Sequence, residues 1–292
     1  MREAPVKDDR LGNEDRPGTA CRRRGHQARI LTRRVLDTLL PWVLPILLIV
    51  GWEIGARTGV ISSRILPAPS AVALAFWVTL RNGELVHHTL ISTQRAFYGL
   101  LIGGGIGFVL GVVNGALPLA EKLTDSSLQM LRNVPHLAII PLVILWFGID
   151  ESAKIFLVAI GVAFPIYLNT FRGIRMVDRG LIEMGRIYGL SPLALYTRVI
   201  LPGALPSILV GLRYALGIMW LTLIAVETIS AQSGIGYMTM NAREFLQTDV
   251  VLLGIIIYAL LAKLADMATR WLERRALAWH PSFQNRTATV AG

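Results

Sequence analysis

The sequence predicts an all-α, polytopic membrane protein with six transmembrane helices. Three observations carry that expectation. The chain has 292 residues, of which 53% are hydrophobic and only 16% charged. Several apolar runs approach or exceed the ~20 residues that a helix needs to cross a bilayer. The basic residues are also unevenly shared between the segments joining those runs.

The candidate spans are 38–56, 94–117, 134–149, 153–171, 206–229 and 250–269. The third is short, and Pro135 and Pro141 are expected to tilt or break it. The fourth follows after a tight Asp150-Glu151 turn. If the N-terminus is cytoplasmic, the loops at 118–133 and 172–205 and the C-terminal tail lie inside. Ten Lys/Arg then fall in the N-terminal tail, two in 118–133, five in 172–205 and four in 270–292. The outside segments hold five: Arg57, Arg64, Arg81, Lys154 and Arg243. That excess fixes the orientation, with both termini cytoplasmic. The +10 net charge is therefore a topology signal and does not point to nucleic acid.

Residues 1–35 are polar, Arg-rich and without hydrophobic pattern, and are expected to be a disordered cytoplasmic extension. No small-residue cleavage site closes the first apolar run, so the first span is expected to stay attached. Residues 36–85 hold that span and an outer segment. There Pro67-Ala68-Pro69-Ser70 reads as a turn and cap before a short interfacial helix over 71–81. Residues 276–292 form a cytoplasmic tail. The lone Cys21 excludes an intrachain disulfide.

Chemistry is sparse. The histidines are His26, His87, His88, His136 and His280. Only His87 and His88 are close in sequence, and on a helix they point about 100° apart, which is poor for a shared metal. No hydrolase elbow and no paired intramembrane carboxylates are evident, so no cofactor, no metal and no catalytic residue are expected. Gly-Gly-Gly-Ile-Gly at 103–107 lies inside a span and fails the nucleotide-loop spacing.

Two span features invite functional readings. Gly99, Gly103, Gly107, Gly111 and Gly115 recur every four residues and make one smooth stripe, suited to a close helix approach or a sliding surface. In span five, Arg213, Gly217, Trp220, Ile224 and Glu227 share one helix face. Arg213, Trp220 and Glu227 are candidates to line a translocation path, since charges inside spans are expensive and commonly functional. The alternative is that both charges snorkel to nearby interfaces while Trp220 packs. Outside, Asn241 to Asp249 reads as a polar run, either a solvated loop or a contact for a delivering protein.

The most informative segment is 183–202, Glu-Met-Gly-Arg-Ile-Tyr-Gly-Leu-Ser-Pro-Leu-Ala-Leu-Tyr-Thr-Arg-Val-Ile-Leu-Pro. Asp178 can cap a short amphipathic helix running to about Tyr188, which Gly189 then stops in the left-handed region. Ser191 caps a second short helix with Pro192 at its first position. Helix, glycine and helix on a membrane protein's face make a docking knob.

That arrangement resembles the "EAA" loop of permease subunits of bacterial ABC importers: Glu-Ala-Ala, three residues, Gly, nine residues, Ile, one residue, Leu-Pro. Glu183, Gly189, Leu201 and Pro202 match in place, and Val199 stands for the Ile. Met184 and Gly185 replace the alanines, and Gly185 weakens its helix by roughly 1 kcal/mol relative to Ala. Residues 129–160, 199–213 and 219–249 further resemble permeases of aliphatic-sulfonate importers, within the nitrate/sulfonate/taurine group. The likeness spans about 38–280.

The resemblance implies the type I ABC importer permease fold, with the transport domain over 86–275 and its coupling loop at 178–202. It implies transport of aliphatic sulfonates across the inner membrane by alternating access, with taurine, nitrate or another small anion as the alternative cargo. It also implies a second permease copy, two cytoplasmic ATPase subunits, a periplasmic solute-binding protein and membrane lipid as partners. ATP hydrolysis then belongs to a separate subunit. The rival from another class is an ion-gradient-driven secondary transporter, against which the loop and the lack of carboxylate pairs both count.

Overall fold

A computed structural model describes residues 40–279, all helix and connecting turn with no strand among them. Expectations for 1–35, Cys21, His26 and most of the C-terminal tail fall outside the described residues. The chain divides into two units, 1–61 and 62–292. The described part of the first is residues 40–61, chiefly helix α1, Leu40–Arg57, whose surface is apolar and mostly exposed. It is closed by Thr58 Oγ1 donating to the Ile54 carbonyl at 2.9 Å and by a Glu53–Arg57 pair at 2.5 Å.

The second unit begins with α2, Pro69–Arg81. Its cap residue is Ala68, with Pro69 and not Ser70 opening the helix. Proline there gives up only an N–H that a helix start leaves unpaired anyway. Buried Val72, Ala75 and Thr79 set α2 against the rest. Helix α3, Glu84–Ala116, starts ten residues before the expected span. Its first three turns carry His88, Ser92 and Arg95, polar residues that depress the hydropathy and yet are buried.

Residues 118–133, expected as a loop, form helix α4, Pro118–Arg132. A 3₁₀ turn, His136–Ile139, leads into α5, Ile140–Phe147. α4 and the segment His136–Phe147 meet at 80°, so the third span is a broken one. The break falls at Asn133-Val134-Pro135, where proline cannot continue the ladder and pushes Val134 out of the helical region. Five described helices are long and apolar enough to cross a bilayer, and the bent pair makes six spans.

Helix α6, Glu151–Arg175, lies against α3. The glycine stripe makes this contact. A methyl added at Gly103 would overlap the Ala159 backbone, and one at Gly107 would overlap the Ala163 carbonyl. At Gly111 it would lie 2.8 Å from the Tyr167 carbonyl, and at Gly115 2.8 Å from Ile174 Cγ2. Residue numbers rise together along the two helices, so α3 and α6 run parallel. Helix α4–α5 supplies the return crossing between them.

Helix α9, Leu201–Ser230, runs antiparallel to α6, with Gly211 near Pro165 and Asn169 and Gly173 near Ala204 and Ser207. Helix α10, Ile235–Glu244, and α11, Thr248–Ala276, complete the bundle. The main core joins Val158, Val162, Met219, Trp220, Leu223, Leu253 and Tyr258.

The stripe yields a paired expectation. Gly103→Leu should lower the unfolding temperature of the purified permease sharply, because no rotamer can clear the Ala159 backbone. Gly105→Ala should hold or raise that temperature, by stabilising the helix about 0.5–1 kcal/mol, since a methyl there meets nothing within 4 Å. Thermal unfolding in detergent measures both.

Candidate functional site

Three regions carry polar chemistry. The first is the knob. Helix α7, Arg179–Ile187, starts with Asp178 accepting from the Gly180 N–H at 2.8 Å. Gly189 follows at φ 74°, a left-handed position that glycine adopts without strain. Helix α8, Pro192–Leu195, is capped by Ser191 Oγ, which accepts from the Ala194 N–H at 3.3 Å. A wide turn at Tyr196–Ile200 then carries the chain into α9. Its cause is Pro202, whose missing N–H leaves the Arg198 carbonyl without the usual donor. The Leu201 N–H instead reaches back five residues to Tyr196.

The knob is anchored, not loose. Ile182, Tyr196 and Ile200 pack onto a small core of Ile174, Val177 and Ala204. Tyr196 Oη donates to the Val112 carbonyl at 3.3 Å, tying the knob to α3. Gly185, read from sequence as a weak point for docking, faces inward. A methyl there would sit 2.6 Å from Leu195 Cδ1, so the glycine lets α8 close on α7. The outer face keeps Glu183 exposed and leaves Ile187, Tyr188 and Leu193 bare, at 85%, 80% and 74% exposure.

The second region is an ionic network at the other end of the bundle, buried except for Glu151, whose side chain is exposed. Arg95 is 2% exposed and its guanidinium is fully engaged. It donates from Nε and Nη2 to the two Glu151 oxygens at 2.5 and 2.6 Å, a bidentate pair. Nη1 donates to Glu227 at 2.7 Å and to the Ser233 carbonyl at 2.6 Å, and Nη2 to Ser233 Oγ at 2.8 Å. Glu227 also accepts from Ser92 Oγ at 2.8 Å, Tyr258 Oη at 2.7 Å and the Gly236 N–H at 3.0 Å. The Ile235 N–H donates to Ser92 Oγ and the Gly234 N–H to His88 Nδ1.

The network thereby joins α3, α6, α9, the start of α10 and α11. Sequence reasoning missed it, giving Arg95 inside the second span no role and finding no paired carboxylates. Glu151 and Glu227 in fact converge on one arginine. The available signal was an arginine inside an apolar run, which demands a counter-ion. His88 is buried as the acceptor for the Gly234 N–H.

The third region is the face of α9 bearing Arg213, Trp220 and Glu227. The three do share a face, and α11 packs along it, burying Trp220 and Glu227 while Arg213 stays exposed. Arg213 pairs with Glu273 at 2.5 Å and Asp266 at 3.6 Å. Trp220 meets Tyr258 edge-on at 6.3 Å, and Glu227 accepts from the same Tyr258. The structure does not bring them to an open path, and Glu227 does not snorkel. Its side chain is sealed within the network.

A cavity of about 700 Å³ opens elsewhere, between α3, α4, α5, α6 and α9. Among the described residues no group of three His, Cys, Asp or Glu is placed to hold a metal.

The broken third span, the glycine-packed helix pair and the knob define a membrane permease subunit. The family model described as the binding-protein-dependent transport system inner membrane component matches residues 103–277, and the chain belongs to that family. It is 60% identical over 258 residues to a protein of Escherichia coli (strain K12) provisionally named aliphatic sulfonates transport permease protein SsuC, covering 88% of this chain and 98% of that one. A Bacillus subtilis (strain 168) protein of the same name is 47% identical over 83% of this chain and 88% of its own. The taurine transport system permease protein TauC of Escherichia coli (strain K12) is 37% identical, with 87% and 93% covered. A solved structure, of an amino acid ABC transporter with histidines, shares the fold at TM-score 0.58 and 17% identity, over 69% of this chain and 97% of that one.

Cutting the buried network should be costly. Arg95→Met leaves Glu227 buried without its cation, and breaking such a pair costs about 3–5 kcal/mol. The double variant Arg95→Met/Glu227→Leu should lose less than the sum of the two single losses. Thermal unfolding of the three variants reads this coupling directly.

Proposed function

We propose that this chain is the permease subunit of an ATP-driven importer that moves aliphatic sulfonates inward by alternating access. The observation that carries the reading is the anchored knob at 178–202, whose bare apolar residues present a docking surface for another subunit. On this reading two ATPase subunits bind the knobs of two permease copies, and hydrolysis occurs on them. Glu183 and Gly189 organise the docking face, Ser191 and Pro192 start its second helix, and Leu201-Pro202 join it to α9. Closing of the ATPases moves the knob. Because α8 passes into α9 through one wide turn, the motion reaches the bundle without a slack linker.

The charge count supports an orientation with both termini and the knob on the cytoplasmic side. The outer end then carries the Arg95 network and the tip after α10. That tip exposes Phe245 and Leu246, with Leu246 held at φ 59°. It is the surface we assign to the periplasmic solute-binding protein. The choice of sulfonates over taurine or another small anion rests on the higher identity to the sulfonate-named relatives.

Three measurements test this. A Ser191→Cys variant should resist an impermeant thiol reagent in intact spheroplasts, and a Thr248→Cys variant should react. Labelling of residue 191 from outside would reverse the orientation. Gly189→Val places a β-branched side chain at a left-handed position, at a cost of about 1–2 kcal/mol. It should abolish uptake while the permease still inserts, and Glu183→Ala should weaken ATPase co-purification. Normal uptake and co-purification in both would remove the docking role. Finally, deletion of this chain should stop growth on an alkanesulfonate as sole sulfur source in a strain lacking other sulfonate importers. Unimpaired growth would move the cargo to another anion.

A further inference from the structure

The sulfonate reading leaves open where the permease itself meets its cargo, and the residues singled out from sequence are paired with or buried against α11. The cavity of about 700 Å³ has the size of a small-molecule site, about 300–1,000 Å³. Its walls are apolar, with Ile102 and Ile106 from α3, Trp146 from α5, Phe156 and Phe164 from α6 and Ile218 from α9. One charged side chain lines it, Arg132 at the end of α4.

Arg132 is unlike the other arginines inside the bundle. Arg95 is saturated by Glu151 and Glu227, and Arg213 is paired with Glu273 and Asp266. Arg175 is paired with Glu121. Arg132 is exposed and has no ion-pair or hydrogen-bond partner among the described residues. The other polar groups of the wall are engaged. His136 Nε2 is 2.9 Å from Thr222 Oγ1, and Tyr167 Oη donates to Asp125.

His136, four residues on, lines the same cavity, and its ring lies against Gly161 of α6. An unpaired cation beside an apolar wall favours an anionic partner. A cation at the lining of an apolar cavity is complementary to one kind of solute: an anionic head on an alkyl chain.

We propose that this groove is the permease's own cargo site, with Arg132 receiving the sulfonate and the Ile102–Ile106–Phe164 wall holding the alkyl chain. The proposal rests on the sulfonate reading and refines it. A planar guanidinium can offer two parallel N–H donors to two sulfonate oxygens, which a lysine cannot reproduce. The apolar wall makes the permease sensitive to chain length, with each buried methylene worth roughly fourfold in affinity. The site therefore adds a selection step after the binding protein has released its solute.

The test uses the complete complex in proteoliposomes, with the solute-binding protein added, measuring uptake of ethanesulfonate and hexanesulfonate. Arg132→Gln should lower uptake of both at least tenfold, and Arg132→Lys should restore part of it. Ile106→Trp fills the groove and should lower the hexanesulfonate-to-ethanesulfonate uptake ratio at least fivefold. The binding protein is unchanged in every case, so a shift in that ratio belongs to the permease. An unchanged ratio in Ile106→Trp, or wild-type uptake by Arg132→Gln, would overturn the proposal while sulfonate import stands. Loss of the second permease copy on purification of Arg132→Gln or Ile106→Trp would assign the groove to an interface between copies and overturn it too. Failure of the wild-type complex to take up either sulfonate would instead strike the function reading itself.

Discussion

The contact between α3 and α6 is the constraint from which the rest of the bundle follows. Inside lipid there is no hydrophobic gain from pressing two apolar helices together, so close backbone approach must supply dispersion contacts instead. Gly103 and Gly107 let α3 ride on the Ala159 and Ala163 backbones. Because the two helices run parallel, a third segment must cross back between them. That segment cannot be a straight helix, because Pro135 interrupts it. Its bend leaves the space that becomes the cavity, and the glycine stripe forms part of that cavity's wall. The same small residues thus close one helix pair and open a chamber beside it.

The ionic network answers a different need. The stretch from Ser233 into α10 leaves helix within reach of the apolar region, and its N–H groups at Gly234, Ile235 and Gly236 need acceptors. His88, Ser92 and Glu227 supply them, and Arg95 neutralises Glu227. Glu151 completes the charge balance from the start of α6, with Lys154 beside it at 2.9 Å. Every donor of the guanidinium fork has a partner, which is the condition under which a buried ion pair fixes geometry without leaving an orphaned charge. The charges in this region are accordingly a scaffold for the turn that leads into α10 and leave no free cation for a solute.

Much of the fold was legible because lipid imposes simple rules. Span number, the break in the third span, the short helix α2 and the capped halves of the knob all follow from apolar length, proline and capping chemistry. The misses have physical causes too. The first turns of α3 were lost because Ser92 and His88 lower a hydropathy average, although each is buried by a partner distant in sequence. Helix α4 was read as a loop because its polar residues mask a regular helix begun by Pro118. The spacing that put Arg213, Trp220 and Glu227 on one face was sound, but periodicity cannot say which neighbour covers a face. Arg132 looked like an ordinary loop cation, since its loneliness is a property of the folded surroundings alone.

The knob and the cavity are mechanically joined by elements already described. Tyr196 bonds to α3 at Val112, and Ser207 Oγ of α9 donates to the Asn169 carbonyl of α6 at 2.8 Å. Asn114 of α3 donates to Thr124 of α4 at 2.7 Å and to Tyr167 of α6 at 3.0 Å. Tyr167 is itself part of the cavity wall. On the proposed reading, a push on the knob acts on the ends of α3, α6 and α9 beyond the chamber, whose walls are middle turns of those helices, while the Arg95 network holds their far ends fixed. Helices clamped at one end and driven at the other change the width of the space between them. That asymmetry, a rigid end and a driven end on either side of a chamber, is what an alternating-access device requires.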